Sequence, residues 1–336
     1  MLSIVIGVIL LNLGGPDSTT SIKPFLYNLF SDRDIIRLGP GFLQKAIASV
    51  IVRAKLKKTV AAYNLIGGKS PLLDITNAQA KALEKLLNRG NGESENRGKE
   101  KEIIQAVSPF RVYVGMRYWR PFIEESLEQM NKDGIKKIIA LSLYPHYSVA
   151  TTGSSIRHFR NAAAKYSFEH VCITSWCNHP FYIEALAERI REGLSSIDSK
   201  NAVLFSAHSL PQQLFDAGDP YVGEIRMTIE ALAEKLTVQW YLSYQSKTGP
   251  VKWLAPTTEH MLHELARKGI KNLLIVPISF VSDHIETLYE IDILYKGLAA
   301  NLGMRLTRIE SLNTSAKFIE ALAAIVREKV DEAGWS

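Results

Sequence analysis

The sequence predicts an α/β protein made of two similar lobes, each a parallel sheet flanked by helices. Three observations support this fold class. The chain has 336 residues, 46% of them hydrophobic, which is enough to bury a large core. Apolar runs of strand length alternate with helical patterns along the chain. In addition, one half of the sequence resembles the other, as expected for a duplicated unit.

Six apolar runs have the length and composition of buried strands. They cover residues 4–11, 112–115, 137–143, 202–207, 239–244 and 273–278. Their side chains are apolar almost without interruption, so we expect both faces of each sheet to be covered. Helical patterns separate these runs, and crossover helices are what parallel strands require.

The internal similarity divides the chain. Residues 124–136 lead into the strand KIIALSLYP and residues 261–271 lead into NLLIVPISF; a histidine follows each strand, His146 or His284. VILLNLGGP likewise resembles VLFSAHSLP. We therefore infer two related halves joined near residues 172–182. The predicted division is an N-terminal lobe at 1–175, a C-terminal lobe at 176–312, and a C-terminal helix at 313–336 that packs back on the lobes.

Composition and charge argue against several classes of function. The net charge of +6 is spread over 40 basic and 34 acidic residues, which does not favour nucleic-acid binding. No apolar run approaches the roughly 20 residues that span a bilayer. Cys172 and Cys177 cannot form a structural zinc site or a four-cysteine cluster, and we expect two reduced thiols in a cytosolic protein. The glycines after the first strand lack the spacing of a nicotinamide site.

A long helical segment at about residues 24–72 is amphipathic. Its apolar positions recur at three- and four-residue steps, and Arg53, Lys55, Lys57 and Lys58 cluster at one end. The stripe consists of Phe42, Leu43, Ala46, Ile47, Val50, Ile51 and Ala54. Two interpretations are open: ordinary core packing, or a lip that contacts a membrane or an amphiphilic ligand.

Polar residues collect where the predicted strands end. They are Asn12, Arg117, His146, His208 and the stretch SDHIETLYEID at 282–292. In open α/β sheets, ligands bind beyond the carboxyl ends of the strands. The shared location predicts one site between the two halves.

The stretch SDHIETLYEID carries an acidic stripe. If it is α-helical, Asp283, Glu286 and Glu290 lie on one face, with His284 to one side and Asp292 behind. Apolar neighbours should raise and couple the pKa values of these carboxyl groups, which suits a proton relay. The alternative is that Asp283 caps the helix and the glutamates are solvated.

His208 closes an apolar strand in the motif SAHSLP, and three interpretations apply to it. The three are a structural histidine, a residue of a serine-hydrolase active site, and one of two ligands of a metal ion. The G-x-S-x-G elbow of hydrolases is absent. A histidine facing a carboxylate across a cleft can hold a borderline divalent metal such as Fe²⁺.

Eight motifs, in order from Leu10 to about Tyr295, resemble the ferrochelatase family, whose members insert Fe²⁺ into protoporphyrin IX to make protohaem. They are LLNLGGP, IGGKSP, GMRYWRP, YPHYS, TTGSS, LFSAHSLP, YQSKTGPVKWLAP and SDHIETLYEID. The resemblance implies a chelatase-like fold with two Rossmann-like lobes and a lyase that completes haem biosynthesis. The amphipathic segment would then be a lip over the porphyrin pocket.

The resemblance also implies roles for individual residues. His208 and Glu286 would bind the metal or take the first proton, with Asp283, His284 and Glu290 as the path behind them. Sequence leaves open from which face of the porphyrin the iron enters. The implied porphyrin contacts are Leu13, Lys55, Tyr63, Ser70, Arg117, Tyr118, Tyr144, Trp253 and Phe280.

Two departures from the family pattern affect these expectations. Val149 occupies a position where some relatives have a cluster-binding cysteine, so we expect no iron–sulfur cluster and no permanently bound cofactor. Leu294 stands where some relatives extend the acidic row. Otherwise we expect a cytoplasmic monomer with peripheral membrane contact through the lip. The alternatives are a chelatase for coproporphyrin or another tetrapyrrole, and a non-catalytic haem or metal carrier.

Overall fold

The computed structural model describes residues 5–34, 39–89, 109–197, 201–247 and 251–335, and within them the strands form two four-stranded parallel sheets. The first contains β1 (Ile6–Asn12), β2 (Phe110–Met116), β3 (Lys137–Ser142) and β4 (Glu169–Ile173), in the order β2-β1-β3-β4. The second contains β5 (Asn201–His208), β6 (Trp240–Gln245), β7 (Asn272–Val276) and β8 (Arg305–Arg308), in the order β6-β5-β7-β8. The two sheets share one topology, which agrees with the internal similarity of the sequence.

Helices connect the strands. The α-helices are α1 (Ile22–Ser31), α2 (Gln44–Leu65), α3 (Leu72–Leu87), α4 (Ile123–Lys132), α5 (Ser154–Ala163), α6 (Pro180–Ser195), α7 (Gln212–Asp216), α8 (Tyr221–Ala233), α9 (Thr258–Arg267), α10 (Lys296–Asn301) and α11 (Ala316–Glu332). A 3₁₀ turn covers Gly41–Leu43, and π-helical segments cover Val149–Gly153 and Glu286–Tyr295. In the described ranges, no helix is both long and apolar enough to cross a membrane.

The main core lies between the two sheets. Alternate residues of a strand point to opposite faces, so Val8 and Leu10 of β1 join the same apolar cluster as Val203 and Phe205 of β5. Ile9 belongs instead to a separate cluster with residues of α4 and α5. A third cluster covers the outer face of the second sheet with residues of α9 and α10. Each sheet therefore has helices of its own on one face and shares the core on the other.

The six predicted strands are confirmed, but the structure contains two more. β4 and β8 are the outer strands at one edge of each sheet. Ile173 is the one fully buried residue of β4, and Leu306 that of β8. With so few buried side chains, these two strands lack the apolar runs that identified the other six, whereas the opposite edge strands β2 and β6 each have three or more buried residues. The lobe boundaries assigned from sequence stay predictions, although α11 does pack against α3 and α6.

The amphipathic segment does not pack as ordinary core. Phe42 is 84% exposed and Val50 is 63% exposed. The residues of α2 that are buried lie on another face: Gln44, Ala48, Val52, Ala62 and Tyr63. The core-packing interpretation of the apolar stripe is therefore wrong for Phe42, Leu43 and Val50, which are exposed to solvent.

Acidic side chains of the C-terminal half bind the loop that follows β3. Asp219 accepts hydrogen bonds from the Ser148 hydroxyl at 2.9 Å and from the backbone N–H of Val149 at 2.8 Å. Glu224 accepts a third from the backbone N–H of Tyr147 at 2.6 Å. These bonds fix the N-terminal end of the short π-helical segment, where unpaired N–H groups favour a carboxylate.

His146, in the same loop, is held in one tautomer. Its Nε2 lies 2.9 Å from the hydroxyl of Thr228, and that hydroxyl donates to the carbonyl of Cys177 at 2.6 Å. The hydroxyl has one proton, so it must accept from His146 Nε2–H. Burial lowers the pKa of His146 to about 3, which keeps the ring neutral. His146 is thus a tether between the lobes.

Candidate active site

A cleft of about 480 Å³ opens between the two lobes at the carboxyl ends of their strands. Asn12 and Leu13 line it from the end of β1, Tyr144 from the end of β3, and His208 from the end of β5. The residues that follow β7 complete the lining. Its size is in the range of small-molecule sites, and its position is the one predicted from the strand ends.

His208 and Glu286 form a hydrogen-bonded pair in this cleft. Nδ1 of His208 lies 2.8 Å from Oε2 of Glu286. His208 is the last residue of β5, where its backbone N–H donates to the Ser279 hydroxyl at 2.9 Å and its carbonyl accepts from Tyr221 at 3.0 Å. Glu286 is the first residue of the π-helical segment Glu286–Tyr295. Both backbones are therefore fixed.

Each partner of the pair favours the charged form of the other. Burial lowers the pKa of a histidine, but the Glu286 carboxylate outweighs it and raises the pKa of His208. Burial raises the pKa of a carboxyl group, but the His208 imidazolium outweighs it and lowers the pKa of Glu286 to about 2. The side chains remain 31% and 20% exposed, so the cleft reaches them. Both shifts favour the ion pair over the neutral pair.

The pKa of Glu290 is shifted in the opposite direction to that of Glu286. Burial, followed by the charge of Glu286, raises its pKa to about 7. Its Oε2 lies 2.5 Å from the hydroxyl oxygen of Ser246 and accepts a longer hydrogen bond from Gln245 Nε2 at 3.4 Å. The prediction of raised pKa values along the acidic stripe is confirmed for Glu290. It is wrong for Glu286 and Asp283, because each of these contacts a cation.

The stretch after Asp283 was expected to be α-helical, and its hydrogen bonds are those of a π-helix instead. The wider turn still brings Glu286 and Glu290 to one side, since both carboxylates contact Ser246. Leu294, one turn later, is 45% exposed. The acidic row of the cleft therefore ends at Glu290.

Asp283 does not line the cleft, in contrast to its predicted place on the relay. Its carboxylate accepts hydrogen bonds from Arg308 at 2.9 Å, Asn313 at 2.8 Å and Thr287 at 3.0 Å. Burial raises the pKa of Asp283, but Arg308 outweighs it and the net shift is downward. Arg308 also binds Asp292 at 2.7 Å. The correction is that Asp283 positions the start of the π-helical segment.

His284 lies beside the pair. Its Nδ1 is 3.1 Å from the carbonyl of Ser282, so this nitrogen carries the proton. Burial lowers its pKa, and the ring is neutral at neutral pH. The ring of Phe280 lies 4.3 Å from that of His284 and 6.2 Å from that of His208, between centroids. Phe280 thus has an edge contact with each of the two histidine rings.

Five of the nine expected porphyrin contacts line the cleft: Leu13, Lys55, Tyr144, Trp253 and Phe280. The other four, Tyr63, Ser70, Arg117 and Tyr118, do not. Tyr63, Ser70 and Tyr118 are buried, at 3%, 5% and 2% exposure. Tyr63 and Tyr118 share an apolar cluster with α1 and α2, which the sequence did not reveal because both residues lie near turns.

Arg117 was expected to bind a propionate, but its guanidinium is already paired. Nη2 of Arg117 lies 2.7 Å from Oδ2 of Asp32. The Tyr118 hydroxyl donates to the same oxygen at 2.6 Å. Asp32 follows the last residue of α1, so this pair ties the lip to the N-terminal sheet.

Several residues of the cleft were missed by the sequence analysis. They are Lys58, Ser246, Lys247, Ile285 and Tyr289. Ser246 and Lys247 directly follow β6, so the rule that pointed to the ends of the other strands could have found them. Lys58 lies one helical turn after Lys55, and the helical period could have found it as well.

The histidine and carboxylate of the cleft that contact each other directly are His208 and Glu286. Among the residues that the structure describes, no group of three or more histidine, cysteine, aspartate or glutamate side chains could hold a metal ion. His208 and Glu286 offer one imidazole nitrogen and one carboxylate, a donor set that suits Fe²⁺.

Replacing Arg308 by methionine tests the role of Asp283. We expect the free energy of unfolding at neutral pH to fall by about 3–5 kcal/mol, because the variant buries unpaired carboxylates. Urea unfolding measures this loss. The pKa of Asp283 is lowered on folding, so its contribution is present above the ordinary pKa and disappears as the pH falls through the lowered value. The difference from the wild type should therefore shrink in acid. Arg305→Met, at an exposed position of the same strand, is the control. If Arg308→Met is as stable as the wild type, the assignment of Asp283 as a buried partner of Arg308 is contradicted.

Comparison with known proteins identifies the family. The ferrochelatase family model matches residues 5–330. Ferrochelatase from Geotalea daltonii is 48% identical over 326 residues, covering 95% of this chain and 96% of that protein. Ferrochelatase from Synechocystis sp. is 42% identical over 337 residues, covering 97% of this chain and 83% of that protein.

Solved structures support the fold. SirB from Bacillus subtilis, determined with Fe³⁺, superposes with a TM-score of 0.56 at 13% identity and covers 99% of both chains. A second structure, described as the sirohydrochlorin chelatase SirB with cobalt, gives the same TM-score at 12% identity. At such identities the likeness concerns the two-lobed fold alone. The family model and the relatives match nearly the whole sequence. The chain therefore belongs to the ferrochelatase family, enzymes of the lyase class that act as metal chelatases.

Proposed function

We propose that this protein inserts Fe²⁺ into protoporphyrin IX, forming protohaem and releasing two protons, as the last step of haem biosynthesis. The observation that carries the proposal is the His208–Glu286 pair, 2.8 Å apart, in a cleft lined largely by apolar side chains. Membership of the ferrochelatase family supports the same reaction.

The cleft suits a flat apolar macrocycle. Tyr144, Trp253 and Phe280 offer ring faces for the porphyrin plane, and Leu13 adds an aliphatic contact. Lys55 is the predicted propionate partner that lines the cleft. Pressing the macrocycle out of its plane exposes the nitrogen lone pairs that a metal must reach, so a rigid wall lowers the barrier.

To bind His208, the metal must displace the proton that this ring shares with Glu286. Fe²⁺ binds the imidazole of His208 only after that ring has lost its shared proton. Glu286, ionised at neutral pH, supplies the negative charge that attracts the cation and later accepts a proton. The metal then leaves these two ligands for the four pyrrole nitrogens.

The released protons need an acceptor beyond the first pair. Glu290 has a pKa near 7, so about half of it is ionised at neutral pH and ready to take a proton. His284 is neutral and lies beside Phe280, against the same cleft. The direction of transfer is from the macrocycle through Glu286 toward Glu290.

The activity is tested by anaerobic metallation of purified protein. Fe²⁺ or Zn²⁺ is mixed with protoporphyrin or with coproporphyrin, and the porphyrin spectrum is followed. We expect metallation, faster with protoporphyrin. His208→Ala and Glu286→Gln should each lower kcat by about a hundredfold or more, because each removes a metal ligand and a proton acceptor.

Porphyrin binding, followed by fluorescence quenching, and the unfolding midpoint serve as controls for those two variants. Both should stay close to the wild type. An intact protein that metallates neither porphyrin would contradict the enzyme assignment and favour a carrier. A preference for coproporphyrin would contradict the substrate.

The raised pKa of Glu290 predicts a pH dependence. An acceptor must be ionised, so kcat should rise with pH through about 7 and fall on the acid side. Glu290→Gln should be slower and should lose this acid limb, since the amide does not titrate. Stopped-flow metallation over a pH series measures both. An acid limb that persists in the variant would exclude Glu290 as its origin.

We also propose that the enzyme works as a cytoplasmic monomer without a permanently bound cofactor. Burial raises the pKa of both Cys172 and Cys177, which favours ordinary thiols. Metal analysis and sedimentation of the purified chain test these points; a bound iron–sulfur cluster or a stable dimer would contradict them.

The lip supports peripheral membrane contact. Phe42, Leu43, Val50 and Leu65 are exposed on the 3₁₀ turn and α2, together with Lys45 and Lys57. Exposed apolar side chains beside lysines are typical of helices that lie on anionic bilayers. We expect the protein to float with anionic vesicles, and the double change Phe42→Ser and Val50→Ser to weaken this at least about fivefold. Phe181→Ser, at a 52% exposed position on α6, is the control. Equal loss in the control would contradict a role of the lip.

A further inference from the structure

We propose that the hydroxyl of Ser246 passes a proton from Glu286 to Glu290. The inference rests on the proposed function, since it concerns protons that leave the macrocycle, and it adds to it a residue and a route. Ser246 follows the last residue of β6 and lines the cleft.

The geometry joins the two carboxylates through one atom. Oγ of Ser246 lies 2.9 Å from Oε2 of Glu286 and 2.5 Å from Oε2 of Glu290. Within the described part of the chain, Ser246 is the one side chain that hydrogen-bonds both carboxylates. Gln245, its neighbour, bonds the carboxylate of Glu290 but the backbone carbonyl of Glu286.

A hydroxyl has a single proton, so it cannot donate to two carboxylates at once. For both contacts to be hydrogen bonds, one carboxyl group must be protonated and donate to Oγ. Oε2 of Glu286 also faces Nδ1 of His208 at 2.8 Å, which favours the ionised form of Glu286. The proton therefore rests on Glu290, and the chain of bonds runs from Glu290 through Ser246 to Glu286.

The backbone of Ser246 supports a role for its side chain. Its φ is +66°, in the left-handed region that favours glycine. A residue with a side chain is strained there, and such strain clusters at functional sites. A glycine would relieve the strain, but it would remove the hydroxyl that bridges the glutamates.

The transfer balances without any further reactant. Once Glu290 has released its resting proton to solvent, a proton from the macrocycle arrives on Glu286. The Glu286 O–H bond then breaks as a new O–H bond forms on Ser246, and the original Ser246 O–H bond breaks as one forms on Oε2 of Glu290. Ser246 ends unchanged, Glu286 is ionised again, and one proton has moved outward.

Ser246→Ala removes the bridge and keeps the Cβ. We expect kcat for metallation to fall by about tenfold or more, with KM for metal and porphyrin within about twofold of the wild type. The solvent deuterium isotope effect on kcat should rise, because proton transfer becomes rate-limiting. Ser246→Gly frees room for a water and relieves the positive φ, so it should recover part of the rate.

Ser243→Ala is the matched control. Ser243 lies on β6, the strand that Ser246 follows, is fully buried, and bonds Thr258 at 3.0 Å rather than either glutamate. We expect its kcat and isotope effect to match the wild type. If Ser246→Ala keeps the wild-type kcat, or loses rate with an unchanged isotope effect and a matching rise in KM, the bridge is overturned.

Infrared spectroscopy of the substrate-free protein separates this inference from the function. A carbonyl-stretch band of a protonated carboxyl should disappear in Glu290→Gln, shift to higher frequency in Ser246→Ala, and stay in place in Ser243→Ala. A band that does not move in Ser246→Ala overturns the bridge. If the band shifts as expected while the wild type metallates no porphyrin, the bridge stands and the proposed reaction fails.

Discussion

The apolar core shared by the two sheets is the constraint on which the site depends. Val8 and Leu10 of one sheet and Val203 and Phe205 of the other belong to one buried cluster, so the lobes cannot separate without exposing it to water. Because the strands of each sheet run parallel, their carboxyl ends lie at one edge of that sheet, and residues from these edges of both sheets line the cleft. Apolar packing is not directional, whereas the hydrogen bonds to the loop after β3 are. These hydrogen bonds fix the position of the loop backbone.

Two cationic side chains, one outside the cleft and one inside it, determine how readily each carboxyl group ionises. Arg308 neutralises Asp283 outside the cleft, and His208 pairs with Glu286 inside it. Glu290 has neither partner, so burial and the charge of Glu286 leave it close to its point of half ionisation at neutral pH. Three acids within eight residues thereby meet three different environments: Asp283 is paired with an arginine, Glu286 with a histidine, and Glu290 with neither.

The exposed apolar side chains of the lip forgo folding free energy that burial in the core would supply. Exposing Phe42 and Val50 forgoes roughly 1.5–3 kcal/mol for each fully exposed side chain relative to burial. A surface of this kind suits a site whose substrate and product are themselves apolar and poorly soluble. The ion pair between Arg117 and Asp32 joins this exposed segment to the sheet that lines the cleft.

The sequence by itself determined the alternation of strands and helices in a repeated α/β unit, the location of the site at the strand ends, and the pairing of His208 with Glu286 by resemblance, because local periodicity and long motifs are written in neighbouring residues. Only the tertiary structure decided which partner each side chain meets: Arg308 for Asp283, Asp32 for Arg117, and Ser246 between two glutamates. These contacts join residues far apart in the chain, and hydrogen bonding and charge depend on distance in space. The edge strands β4 and β8 were missed for a related reason, since few of their side chains are buried and pairing with a neighbour defines them.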